Sequence, residues 1–292
     1  MFLSARRDGI IPGPSLPIAR EARGTRLVVV NDPSIGDALM CAPVVEALAR
    51  AHAPAEVYVA WRNREVGEII ALPENALPVE AIPRDWSILA RDVTQLDTWS
   101  AYGYGQPTVG HPTQYVFRQA GLPAPLWDNL PRPRLRQLEE AVATVAGEHE
   151  AVPDFIVAPF TRDPLLRDFP WQEYPRLFRA LNAVYPGCDI LVIGGAEDRE
   201  KVAICVGDTP VRSSLGLPLA VLARLMQLAR IAVITVCSGP SHLAWAARVT
   251  THLILTSSRL PPGWVTYPGA LVHRSPNTSL PVEQILEILK PV

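Results

Sequence analysis

Short runs of β-branched residues recur along this chain, each followed by a tight turn and a stretch with apolar residues at helical spacing. That alternation constrains the fold more than any other feature of the sequence. The first run, Arg26 to Asn31 (RLVVVN), shows no polar alternation, as expected for a strand buried on both faces of a parallel sheet. Asp32-Pro33-Ser34-Ile35-Gly36 breaks it, and Asp37 to His52 reads as a helix. Glu56 to Ala60 predicts a second strand and Glu65 to Leu72 a second helix. Strand, turn, helix, strand is a βαβ unit, and such units assemble parallel sheets.

Residues 73–112 break the pattern with prolines, three apolar bursts and the tract Tyr102-Gly103-Tyr104-Gly105. They read as an irregular loop region with one or two short strands, closed by a helix from Pro112 to Ala120. The proline-rich stretch 121–136 suits a stiff connection between domains, and a polar helix is expected over Leu138 to Glu150. The alternation then resumes. Strands are expected at Phe155–Ala158, Asp189–Ile193, Ile231–Thr235 and Thr251–Leu255. Helices are expected at Gln172–Tyr185, Asp198–Cys205, Pro218–Leu228, Ser241–Arg248 and Val282–Leu289. The chain thus divides into an arm over 1–24, a Rossmann-like half over 25–135 and a second Rossmann-like half over 136–292, facing each other across a cleft. One doubly wound sheet with an irregular insertion is the competing arrangement.

Composition removes several function classes. Hydrophobic residues make up 48% of the 292 and charged residues 19%, the balance of a chain with a real core and not of a disordered one. A net charge of −2 and a pI near 6.3 provide no footprint for nucleic acid or an anionic membrane. Lys201 and Lys290 are the only lysines, so arginine, the better match to phosphate geometry, carries nearly all the positive charge. No run approaches the ~20 apolar residues of a membrane span, and the N-terminus lacks the core of a signal peptide. Cys41, Cys188, Cys205 and Cys237 form no CxxC pair, which suits reduced, mostly buried thiols. A cytoplasmic protein is expected, at most peripheral at the inner membrane.

Four segments carry candidate chemistry. Val236 to Leu243 (VCSGPSHL) leaves a strand and opens a helix. Free backbone N–H groups and the positive end of the peptide dipole gather at such a terminus. With the approach that Gly239 allows and the hydroxyls of Ser238 and Ser241, they form a seat for a diphosphate. An ordinary serine cap on a structural helix fits the same residues, and His242 reads as a packing or orienting side chain. Thr161, Arg162 and Arg167 lie at the carboxyl end of the first strand of the second half and suit phosphate oxygens. A solvated loop with surface ion pairs is the plain alternative. Gly194-Gly195-Ala196-Glu197 offers a close turn and an acidic acceptor for ribose hydroxyls, without the GxGxxG fingerprint of NAD. Asp37 opens the first helix, where a carboxylate serves either as general base or as a dipole-complementing cap. No DxD motif is present, and no His/Cys spacing suggests zinc.

Taken in order, IGDALMCAPVVEAL, TRDPLLRDFPW, GGAED and LARLMQLARIAVITVCSGPSHLAWAA resemble family 9 of the glycosyltransferases, the heptosyltransferase-like family. The resemblance runs from about Arg26 to the C-terminus, firmest over 154–256. It implies a GT-B fold and metal-independent, inverting transfer of a sugar from a nucleotide-diphosphate donor, typically ADP-heptose, to a glycan or glycolipid acceptor of lipopolysaccharide type, with no bound cofactor. It implies Asp37 as the base and Arg167 as the neutraliser of the donor diphosphate. Ser238, Gly239 and the amides before His242 would hold the same group, and Gly194 to Glu197 would lie near the nucleoside. The sequence departs from the family pattern at three places. Cys237 stands where an acidic residue touching the donor sugar is usual, Asn31-Asp32-Pro33 replaces the usual basic residue, and the first half is short. A non-heptose sugar, a non-lipopolysaccharide acceptor, a nucleotide-sugar epimerase or hydrolase, and a binding protein with little catalysis are the remaining readings.

Overall fold

The computed structural model describes residues 26–79, 92–98, 111–137, 152–161, 170–255, 267–275 and 279–289. The arm, the Tyr102 to Gly105 tract and the helix expected over Leu138 to Glu150 lie outside them. Two separate parallel sheets form, which rules out the single-sheet arrangement. The first comprises β1 (Arg26–Val30), β2 (Val57–Trp61), β3 (Ala76–Val79) and β4 (Asp92–Leu96), in the order β3-β2-β1-β4. The second comprises β5 (Phe155–Ala158), β6 (Ile190–Gly194), β7 (Arg212–Leu215), β8 (Ala232–Val236), β9 (Thr251–Leu255) and β10 (Leu271–Arg274), in the order β10-β9-β8-β5-β6-β7. All the pairings between neighbouring strands are parallel.

Two strands mark where apolar periodicity was too weak a guide, while β3 and β4 are short strands of the kind expected within residues 73–112. β7 (RSSL) and β10 (LVHR) are half polar because they close the two edges of the second sheet. β3 carries Pro78, which an edge strand tolerates because one side of its backbone needs no partner.

Helix α1 (Ile35–His52) connects β1 to β2 in the first sheet. A helix on a solvated face buries one stripe; this one is buried on nearly every side from Gly36 to Val45. The reason is that it packs on β1 and β2 and on α3 (Pro112–Gln119), and also on α7 (Gly239–Ala246) of the second half. Likewise α2 (Arg64–Ile69) packs on α6 (Leu219–Leu228). One apolar cluster therefore joins Val28 and Val30 beneath the first sheet to Ile156, Ala158 and Leu191 beneath the second. A second cluster covers the other face of the larger sheet with α4 (Tyr174–Val184), α5 (Arg199–Val206) and α8 (Val282–Leu289).

α2 ends earlier than its apolar pattern suggested. Ile70 instead bridges Leu135, with Ala71 N donating to Arg134 O at 2.7 Å and Arg136 N to Ile69 O at 2.9 Å. Residues 134–136 of the proline-rich connection are thereby stitched to the first half. Among the described residues no helix is long and apolar enough to cross a membrane. Cys41, Cys188, Cys205 and Cys237 form no disulfide, and burial pushes the Cys205 thiol up to about 12.

Candidate functional site

In each sheet the chain winds outward from a founding strand and later returns to add strands on its other side. The crevices so made, between β1 and β4 and between β5 and β8, lie at the carboxyl ends where open parallel sheets bind ligands. Of the residues singled out in the sequence, Asp37, Thr161, Cys237, Ser238, Gly239, Ser241 and His242 fall at these two edges.

The first crevice is floored by Asp32. Its side chain is fully buried, and Oδ2 accepts from Thr98 N across the gap at 2.9 Å and from Cys41 Sγ at 3.3 Å. Oδ1 has no partner. Burial first, with Asp37 and Asp97 adding repulsion, pushes the Asp32 carboxyl up to about 6, against the lowering effect of the Thr98 amide. One turn on, Ser34 caps α1: its Oγ accepts from Asp37 N at 3.2 Å and donates back to Asp37 Oδ2. Asp37 is thus oriented by the cap, and it stays half-buried. Ser34 rather than Asp37 is the cap, and Asp37 lies in the first turn of α1, where a carboxylate complements the helix dipole.

The second crevice is bounded by Pro159 to Thr161 after β5 and Cys237 to Gly239 after β8. No acidic residue occupies the first turn of α7. Its hydroxyls are spent locally: Ser241 Oγ donates to Ser238 O at 2.7 Å and accepts from Ser238 N at 3.4 Å, while Ser238 Oγ donates to Val236 O at 3.3 Å. Pro240 in the first turn brings no N–H of its own to satisfy. Cys237 is buried in a small apolar cluster with Leu253 and Leu255.

The two crevices meet. A Cβ placed on Gly36 would lie 2.6 Å from His242 Cδ2, and one on Gly239 would lie 3.3 Å from Ile35 Cβ. Only glycine lets the N-terminal turns of α1 and α7 abut so closely. Each terminus carries about half a positive charge of helix dipole, so both positive ends point into one place. His242 packs its ring on Gly36 and edge-on to Tyr267 at 5.2 Å, the packing role expected of it.

Gly194 ends β6, one strand from β5, and Gly195 follows it. A Cβ on Gly194 would come within 3.0 Å of Phe160, which sets this turn beside Thr161. Gly195 N donates to Asp198 Oδ2 at 2.9 Å, and exposed Glu197 folds back over Gly195. Arg162 and Arg167 lie outside the described residues.

Several residues at these edges escaped the sequence reading. Asp32 looked like part of a strand breaker, since burial is not written in sequence. Lys201 pairs with Asp198 at 2.7 Å and sits 5.8 Å over Phe160 and 5.5 Å over Trp171, at the flank of the Thr161 loop. Its rarity as one of two lysines was the available signal. His111 caps α3 through Nδ1, which accepts from Thr113 N at 3.2 Å, and its ring meets Tyr267 at 4.9 Å. Burial, then the neighbouring His242, pulls it down to about 3. Among the described residues no group of three or more His, Cys, Asp or Glu is placed to hold a metal.

No protein-family model matches the chain. No curated protein matches it by sequence. Solved structures do. A glycosyl transferase family 9 protein from Veillonella parvula DSM 2008 superposes with a TM-score of 0.63 at 16% identity, over 87% of this chain and 86% of that one. The E. coli ADP-heptose LPS heptosyltransferase II gives 0.68 at 16%, over 90% and 96%. The E. coli heptosyltransferase WaaC with ADP gives 0.61 at 17%, over 90% and 99%. At such identities the likeness establishes architecture, and the architecture of this chain is the GT-B fold of these family 9 heptosyltransferase structures.

Proposed function

We propose that the protein is a glycosyltransferase that holds a nucleotide-diphosphate sugar between its two halves and transfers the sugar to an acceptor hydroxyl. The observation that carries this reading is the abutment of two helix N-termini, at Gly36 and Gly239, on the carboxyl edges of two parallel sheets. A doubly negative diphosphate is the group the uncharged α7 terminus favours, with Asp37 of α1 beside it as a proton acceptor. An ADP-sugar is the donor we favour, because the similar E. coli structures are named for ADP-heptose or hold ADP.

In this reading residues 136–292 hold the donor and residues 25–135 meet the acceptor. The Gly239 amide, Thr161, Arg162 and Arg167 receive the diphosphate, Ser238 and Ser241 hold the turn that presents that amide, and Gly194, Gly195 and Glu197 border the nucleoside. Asp37, pointed by Ser34, takes the acceptor proton as the acceptor oxygen bonds to the anomeric carbon. The bond from that carbon to the phosphate oxygen breaks on the opposite face, inverting the centre. The leaving diphosphate keeps the electron pair, and amides and arginines stabilise it; one well-placed donor in such a site is worth roughly 3–4 kcal/mol of barrier. No step requires a metal in this scheme. A glycan or glycolipid of lipopolysaccharide type is the acceptor class, met in the cytoplasm or at the inner membrane face. Cys237, withdrawn into an apolar cluster, favours a donor sugar other than heptose.

The test is a metal-free calorimetric screen against ADP, GDP, UDP, CMP and TDP. ADP should bind best, and Arg167→Ala should weaken it at least tenfold. Binding to none of the five would overturn the donor site.

A further inference from the structure

Lys201 stands in the first turn of α5, where the helix dipole disfavours a cation, so helix formation does not account for its place. Its ammonium donates to Asp198 Oδ1 at 2.7 Å, with 28% of the lysine side chain and 9% of the aspartate side chain exposed. The second oxygen, Asp198 Oδ2, accepts from Gly195 N at 2.9 Å. The same ammonium lies over two aromatic rings, 5.8 Å from the centroid of Phe160 and 5.5 Å from that of Trp171, within the range of cation–π attraction. Those two rings meet edge-on at 6.3 Å. A Cβ on Gly194 would lie 3.0 Å from Phe160 Cδ2 and 3.2 Å from Asp198 Cβ, so the turn after β6 is packed closely on both. Lys201 therefore joins three segments: Phe160, which immediately precedes Thr161 after β5; the Gly194–Gly195 turn after β6; and Trp171 ahead of α4.

We propose that Lys201 is a positioning residue for the donor: it fixes the segment carrying Thr161 against the Gly194–Gly195 turn and so sets the spacing between the diphosphate and nucleoside subsites. The inference rests on the glycosyl-transfer reading, which puts the diphosphate at Thr161 and the nucleoside at Gly194 and Gly195. A ligand that spans both subsites gains from a spacing fixed beforehand, because less ordering remains to be done when it binds. A ligand that fills only one subsite gains little from it. Charge carries the link more than bulk does. A neutral side chain of the same length would leave the Asp198 carboxylate without this counter-charge and the two rings without the cation that both face.

The experiment measures ADP binding to the full chain by metal-free calorimetry, and adenosine and pyrophosphate by competition with ADP, in the parent, Lys201→Met and Lys201→Arg. Lys201→Met is expected to weaken ADP about fivefold or more, with adenosine and pyrophosphate each within about twofold of the parent. Lys201→Arg keeps a cation for Asp198 and the rings, and should restore ADP binding to within about threefold of the parent. Parent-like ADP binding by Lys201→Met would overturn the positioning role. So would an equal loss for all three ligands, which is what general destabilisation gives, or no recovery in Lys201→Arg. Each of these outcomes leaves the donor site standing. No binding of ADP by the parent would instead overturn the donor site of the glycosyl-transfer reading, and the role of Lys201 with it, so the two failures are told apart.

Discussion

The N-terminal turns of α1 and α7 are the same device used twice, a strand delivering its chain into a helix at a sheet crevice, yet they are furnished in opposite ways. The α1 turn carries Asp37 in its first turn and buried Asp32 beneath it. The α7 turn carries serines, a glycine and a proline, and no charge. Carboxylates at the first terminus already answer its dipole, so that turn has little left to offer an anion. The second terminus is unanswered. Placed against each other, one turn suits a proton acceptor and the other an anionic leaving group, which are the two ends of a glycosyl transfer.

The largest effect expected from breaking this contrast is at Asp37. Asp37→Asn keeps the cap geometry but removes the base, so turnover should fall by about 10²–10⁴ while calorimetric ADP affinity stays within a few fold. A loss of ADP binding with turnover retained would exchange the roles of the two turns.

Asp32 sharpens the contrast through pH. Its folded value near 6 lies above the ordinary 3.8, so the folded state holds the proton more tightly than the unfolded one. Stability from this group is therefore present at acid pH and is lost as pH rises from about 4 through 6. Asp32→Asn should stabilise the protein at pH 7.5 by up to about 3 kcal/mol, with no gain near pH 4, measured by urea denaturation. An equal gain at both pH values would remove the buried charge as its cause.

The second half should slope the other way. His252 and His273 are buried on β9 and β10, joined Nδ1 to Nε2 at 2.9 Å. Burial, then His273, pulls His252 down to about 4. The unfolded state then binds the proton more readily, so this stability is present above about 6.5 and is lost as pH falls toward 4, by roughly 2 kcal/mol between pH 7 and 5. His252→Gln should flatten that acid limb. An unaltered limb would place the acid sensitivity elsewhere.

Gly36→Ala tests the abutment itself. Its Cβ must displace the His242 ring, which overpacks the seam at a cost of about 1–3 kcal/mol. A variant as stable as the parent would mean that the two turns yield freely.

The βα alternation was legible because strands buried on both faces are apolar nearly throughout, as LVVV of β1, FIVA of β5 and ILVI of β6 are. The glycine and serine turns were legible because only such residues suit a crevice at a helix start. The joining of the two halves was not. Gly36 reads locally as a turn residue, and nothing near it in sequence announces His242, which reaches it only through the packing of α1 on α7. Asp32 was invisible as a buried acid for the same reason, since Thr98 and Cys41 close over it from distant positions. Trp245 and Tyr267, stacked with ring centroids 4.3 Å apart, likewise come from segments that share no motif.

The central claim is that the α7 N-terminus holds a diphosphate through the Gly239 amide. It is tested most directly by metal-free calorimetry of ADP and AMP on Gly239→Pro and Gly239→Ala. Ser238 before it is extended (φ −156°, ψ 178°), and proline suits the first helical position, so Gly239→Pro deletes one amide donor with the helix retained. Gly239→Ala adds the same Cβ and keeps the amide. The account predicts that ADP binds the parent at least tenfold tighter than AMP. It also predicts that Gly239→Pro loses about 10–100-fold in ADP affinity relative to Gly239→Ala, the worth of one hydrogen bond to a charged group. Equal ADP affinity in the two variants, or no preference of the parent for ADP over AMP, would contradict it.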